Sequence, residues 1–271
     1  MNRTTKSDTG SVSLSDVFKA GIWVILPLVI SGSGNLAAQP AQPYPSNDVQ
    51  PAERNNTGIT GPERGFENKN EEVISVGELM TWNRRGDGYF GNFMDQALQL
   101  TEDPHSSGIM LISPESYGTE FVLTYDVMTL QPATVLVNML SASNGDGSGR
   151  LDVPPGFNGD LSEWTEGATD YFFAFHNAPH MRYPFLLQRS PEGVSQLGEA
   201  DRNYMETGQW HQVEAGRNGN RLWLTIDGTT VLNTTDSDPI DGGHIAFRIR
   251  GTGAEHASCL IRNVTIQTPD R

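Results

Sequence analysis

The sequence predicts an all-β protein, an antiparallel two-sheet β-sandwich of the jelly-roll type. Three observations point there. Apolar residues recur with period two, as at Phe121, Leu123, Tyr125 and Val127, the spacing of a half-buried strand. Turn formers are dense, with Gly 29 and Pro 16 in 271 residues, as a chain of many short strands requires. No apolar stripe of period 3.6 is sustained anywhere, which argues against long helices.

Taken in order, the chain begins with a segment that does not belong to the sandwich. Residues 20–30 (AGIWVILPLVI) form an apolar run behind Arg3, Lys6 and Lys19. The run is short for a hydrocarbon core of about 30 Å. It matches the apolar region of a secretory signal, with small residues around Leu36-Ala37-Ala38 for cleavage. Residues 1–38 are therefore expected to be a signal peptide or, uncleaved, an N-terminal anchor, and the protein is expected to be periplasmic or secreted. Residues 39–70 are rich in Pro, Asn, Gln and Gly and read as a flexible lead-in, because they bury too little to offset ordering. The sandwich is expected over 71–271.

Strands are expected at residues 108–113 (GIMLIS), 119–130, 133–141 and 171–176 (YFFAFH), then at 185–189. The run at 171–176 is nearly all apolar, as in a central strand covered on both faces. A three-stranded meander follows, at 210–217, 221–226 and 231–234, turned by Asn218-Gly219 and Asp227-Gly228. Such pairs suit two-residue hairpins because both central positions take positive φ. Strands at 244–249 and 259–266 close the domain. Ten or more strands in this arrangement point to a sandwich.

The net charge of −15 repels DNA and anionic membranes, so no nucleic-acid partner is expected. Contact with a membrane is expected only through an uncleaved N-terminus. Cys259 is the single cysteine. It excludes an internal disulfide and reads as a small buried residue of the last strand.

The stretch WHQVEAGRNGNRLWLTIDG (residues 210–228), then DGGHIAFRIRG (241–251) and IRNVTI (261–266), resembles the closing strands of the concanavalin A-like jelly-roll superfamily. That group includes laminin-G-like domains, glucanases and lyases. The block YFFAFHNAPHMRYPFLLQR (171–189), with Asp201-Arg202, is most similar to the bacterial YesU-like family, and more loosely to 3-keto-disaccharide hydrolase-type domains. The resemblance spans about residues 71–268 and implies a carbohydrate partner held on the concave face. It is specific for fold and weak for function, since binding modules, hydrolases and lyases share it.

The carboxylate pattern of laminarinase-type hydrolases is not met. Glu120 and Asp126 share one strand face but lie roughly 20 Å apart along it, whereas paired glycosidase carboxylates sit about 5 Å or about 6.5–9.5 Å apart. Glu163 and Glu166 fall in the loop-like LSEWTEGATD and read as solvated.

The densest polar cluster is His176, Asn177, His180, Arg182, Tyr183 and Arg189, on a loop that leaves one strand and enters the next. A uronate lyase needs a group to neutralise the carboxylate, a base for the C5 proton and an acid for the leaving oxygen. Asn, Arg, His and Tyr can supply these. On this reading His176, Tyr183 and Arg182 are catalytic, and Asn177, His180, Arg189, Arg202 and Trp164 bind substrate, with Tyr204 extending the set and Trp82 or Trp164 stacking on sugar faces. A second reading of the same cluster stands beside it: His176 caps a backbone group and the arginines pair with carboxylates. His105, His211, His244 and His256 read as structural or surface residues. No zinc spacing, P-loop, dinucleotide fingerprint or nucleophile elbow occurs, so no cofactor is expected. The loop at 144–149 (NGDGSG) places oxygens at alternate positions, but Pro155 stands where a calcium helix-loop-helix needs Glu. It reads as a hairpin tip, with a looser structural calcium site as the alternative.

Overall fold

The computed structural model describes residue 66 and residues 69–94, 96–176, 183–252 and 255–270. The expected signal or anchor over 1–38 and nearly all of the lead-in lie outside the described residues, as do Asn177, His180 and Arg182. Among the described residues no helix is long and apolar enough to cross a membrane.

The elements run β1 (Lys69–Ile74), α1 (Val76–Leu79), β2 (Asn83–Arg85), β3 (Gly88–Phe93), β4 (Ala97–Glu102), β5 (Ile109–Tyr117), β6 (Glu120–Thr129) and β7 (Val135–Ser143). Then come α2 (Leu161–Gly167), β8 (Thr169–His176), β9 (Phe185–Ser190), β10 (Gly193–Glu199), β11 (His211–Asn218), β12 (Arg221–Ile226), β13 (Thr229–Thr235), β14 (Gly243–Arg250) and β15 (Ser258–Pro269). The first sheet has the order β13-β12-β11-β6-β15-β4-β3, with β1 also paired to β15, and the second has β10-β9-β8-β7-β14-β5-β2. Every ladder is antiparallel. The expected two-sheet sandwich is the observed fold.

Alternation builds the main core between the sheets. Phe121, Leu123, Tyr125 and Val127 of β6 meet Tyr171, Phe173 and Phe175 of β8 there. Burying each such side chain contributes about 1.5–3 kcal/mol. Phe172 and Ala174 point the other way, into a second cluster with Phe157, Trp164 and Phe185. The all-apolar run of β8 is thus explained, because both its faces are covered. Cys259 is buried in the main core, and burial pushes its thiol pKa far up.

Four details differ from expectation. Strand β1 starts at Lys69, two residues inside the expected lead-in, because pairing with β15 recruits it. The first meander turn is centred on Gly219-Asn220 rather than Asn218-Gly219, since Asn218 pairs with Arg221; Asp227-Gly228 turns as expected, both at positive φ. Strands β1 to β4 and β10 were not expected. The segment around Glu163 and Glu166 is the helix α2, N-capped by Asp160.

That helix and the chain before it matter for the site. The segment from residue 144 to 168 leaves β7 and folds back over the outer face of the second sheet, where Leu151, Val153, Phe157, Leu161 and Trp164 complete the second cluster. It is locked at a glycine junction. A Cβ on Gly86 would lie 2.1 Å from the Gly108 carbonyl oxygen, and one on Gly159 would lie 1.9 Å from the same atom. All three glycines have positive φ, so no other residue fits without moving backbone. The buried Arg248 ties the junction, donating from one Nη to the carbonyls of Ser107 (2.8 Å) and Gly159 (3.1 Å).

Candidate functional site

The structure divides the expected cluster between the two ends of β8. At one end Arg189 is turned inward. Its Nε and Nη donate to the two carboxylate oxygens of Asp170 at 3.2 and 2.8 Å, and its guanidinium lies 4.3 Å from the centre of the Phe172 ring. The indole N–H of Trp164 donates to the same carboxylate at 2.6 Å. All three residues are buried. Two expected substrate contacts are therefore corrected. Arg189 and Trp164 bind the covering helix to the sheet, because a carboxylate taken out of water needs its full set of donors. Trp82 is likewise buried, stacked on Phe247 at 5.8 Å, and offers no ring to a sugar.

The other end of β8 forms an open rim. His176 ends the strand on the face of Phe172 and Ala174. Its Nδ1 bonds the carbonyl oxygen of Thr134, so Nδ1 carries the proton and the neutral ring keeps its lone pair on Nε2. Burial, with the nearby His211, holds its pKa below the ordinary histidine value. Phe185 pairs with Ala174, which brings Tyr183 level with His176. Tyr183 is 45% exposed. The Ala200 N–H donates to the Pro184 carbonyl at 2.7 Å, so Arg202 emerges at the same end; it is exposed and stacks on Tyr204 at 4.9 Å.

Across β7, Arg250 pairs with Val135 while Leu136 pairs with His176. From β9 to β14 the rim spans three strand spacings, about 14 Å. Beside Arg250 opens a cavity of about 260 Å³ lined by Glu102, Ser106, Arg250, Thr252, Glu255 and His256, among others. Glu102 is buried and anchors this corner, accepting the N–H groups of Gly251 and Ala257 on one oxygen. Arg250 and Arg248 also act electrostatically on Asp160, adding to the Ser162 hydrogen bonds that hold the Asp160 carboxyl below its usual range.

The sequence reading missed Glu102 and Arg250. A signal for the second was in plain view: Arg248 and Arg250 alternate on β14, so one strand face carries both. Glu102 gave none, since its fixing contacts lie 149 and 155 residues away.

Two other described histidines are engaged. His211 bonds Asp227 through Nδ1 at 2.6 Å and accepts the Glu206 N–H on Nε2 at 2.9 Å. His244 bonds the Ser113 carbonyl at 2.8 Å. In the loop at 144–149, an Asp146 oxygen accepts from the Ser148 N–H and hydroxyl, and Asn144 and Asp152 bond each other. Among the described residues no three His, Cys, Asp or Glu side chains are grouped to hold a metal ion.

These features define a galectin-like jelly-roll sandwich whose second sheet is capped on its outer face and open at one rim. Two solved structures share the fold. A protein of unknown function with a galectin-like fold from Bacillus subtilis matches with a TM-score of 0.60 at 15% identity, covering 76% of this chain and 98% of that one. A structure described as a native glycosidic hydrolase matches with a TM-score of 0.50 at 11% identity, covering 76% and 98%. A prokaryotic β-1,3-1,4-glucanase from a mouse hindgut metagenome matches at 0.49 and 13%, covering 75% and 100%. No family model and no curated protein matches the sequence.

Proposed function

We propose that this protein is an exported carbohydrate-binding β-sandwich of YesU-like kinship, and that it takes its glycan at the rim formed by Tyr183, Arg202 and Arg250, with His176 buried behind it. One observation carries the reading. An exposed phenol, a guanidinium and a polar cavity stand on one edge of a rigid sheet. A sugar presents a C–H face that stacks on a ring and a girdle of hydroxyls that need both donors and acceptors. The shared fold with a glycosidic hydrolase is in keeping with this, and the apolar run at 20–30 supports export. Calorimetry with soluble oligosaccharides tests the site. Tyr183→Ala and Arg250→Ala should each weaken binding by roughly tenfold, the effect of about 1.4 kcal/mol. Unchanged affinity in both variants would remove the rim from the account.

A second reading, cleavage of a uronate polymer by β-elimination, draws on His176 alone. Its Nε2 lone pair and lowered pKa suit a base that removes the C5 proton, with Arg250 or Arg202 facing the carboxylate. Turnover would then persist below the ordinary histidine pKa of about 6.5 and fade only as the pH drops through the lowered value. The measurement is the ultraviolet absorbance of unsaturated product against pH; none above background sinks this reading and leaves the binding role intact.

A further inference from the structure

The first sheet carries a second feature on its outer face. Of the large hydrophobic side chains exposed among the described residues, Tyr89, Phe93 and Met94 lie together on β3 and its hairpin tip. Phe90 packs toward the main core, so Tyr89, Gly91 and Phe93 face outward by alternation. The phenol of Tyr89 lies down over Gly91: a Cβ there would fall 1.9 Å from the hydroxyl oxygen and 2.1 Å from Cζ. Glycine at this position lets the ring rest on the sheet instead of standing off it, and Tyr89 remains 54% exposed.

Polar groups continue the surface. Gly91 pairs with Gln99, Gln99 with Leu260, and Leu260 with Met128, a distance of about 14 Å across four strands. The Gln99 amide donates to the Thr101 hydroxyl at 3.2 Å, and Thr101 shares a hydrogen bond with Ser258 at 2.8 Å. Past Met128, the Trp210 ring lies 3.9 Å from the guanidinium of Arg262, which pairs with Asp126 at 3.4 Å.

We propose that this face is a second carbohydrate site, a platform that binds a neutral polysaccharide strand laid across β3 and β4. The ring of Tyr89 stacks on a sugar face, and the Gln99 amide with the Thr101 hydroxyl meets its hydroxyl groups, the buried Ser258 holding Thr101 in place. Charge selects an uncharged occupant. Arg262 is neutralised by Asp126, and the chain's charge of −15 repels a polyanion. The inference shares its ligand class with the rim reading but not its aromatic contact, Tyr89 on the first sheet as against Tyr183 at the edge of the second.

Adsorption of the full chain to microcrystalline cellulose, insoluble β-1,3-glucan and chitin tests it. The unaltered protein should adsorb to at least one. Tyr89→Ala and Gly91→Ala should each lower the partition roughly tenfold, the second by lifting an intact ring, while Tyr89→Phe retains it. Tyr183→Ala should adsorb normally and lose only soluble oligosaccharide binding. Three results would overturn the platform: no adsorption to any of the solids, adsorption unchanged in Tyr89→Ala and Gly91→Ala, or a dimer in sedimentation that Tyr89→Ala dissolves. Loss of soluble binding in the rim variant alone would leave the rim standing without the platform, and the converse pattern the reverse.

Discussion

Asp170 and His176 stand at opposite ends of β8 on the same face, and burial treats them differently. Asp170 is surrounded by donors from Arg189 and Trp164. His176 is held neutral, its proton fixed toward the Thr134 carbonyl. Removing the carboxylate strands a buried guanidinium and an indole N–H together. Asp170→Ala should therefore cost about 3–5 kcal/mol in urea unfolding, and Asp170→Ala with Arg189→Met should recover part of that; equal losses would mean Arg189 finds water. The sequence marked this strand only over 171–176 and left Asp170 outside it. It gave no sign that Arg189, nineteen residues from Asp170, would turn inward, because a long-range ion pair leaves no local pattern.

Most strands rich in alternating apolar residues were legible as elements, the short β4 with Leu98 and Leu100 excepted; those whose sequence carries much glycine or little alternation were not. Strand β3 holds Gly88 and Gly91, and β10 holds Gly193 and Gly198, so pairing with a neighbour rather than propensity makes them strands. Helix α2 was hidden for a related reason. It is short, and its single buried residue, Trp164, leaves no periodic stripe to read. The cover over the second sheet depends on the junction of Gly86, Gly108 and Gly159. Gly159→Ala at φ +92 meets fixed backbone and should cost about 1–3 kcal/mol from strain alone. Thermal unfolding would report it, and a midpoint equal to wild type would mean the junction is looser than its geometry.

At the scale of the whole molecule, the two-sheet sandwich followed from the sequence because period-two burial and tight turns are local properties repeated along the chain. The candidate site was half legible. His176, Tyr183 and Arg202 do reach one rim, since consecutive antiparallel strands return loops to the same end of a sheet. Trp164 and Arg189 left the site because the chain from 144 to 168 folds over the sheet, a choice made by tertiary packing. Tyr183 at the edge of the second sheet and Tyr89 on the first then belong to one compact body.

The lone thiol of Cys259 lies at the centre of that body, sealed from solvent between the sheets. With no second cysteine in the chain, no internal cross-link can compete for it, and a modifying reagent reaches it only when the layers part. The rate at which a small electrophile labels this one sulfur is therefore a clock for opening of the sandwich, readable by mass without any engineered probe.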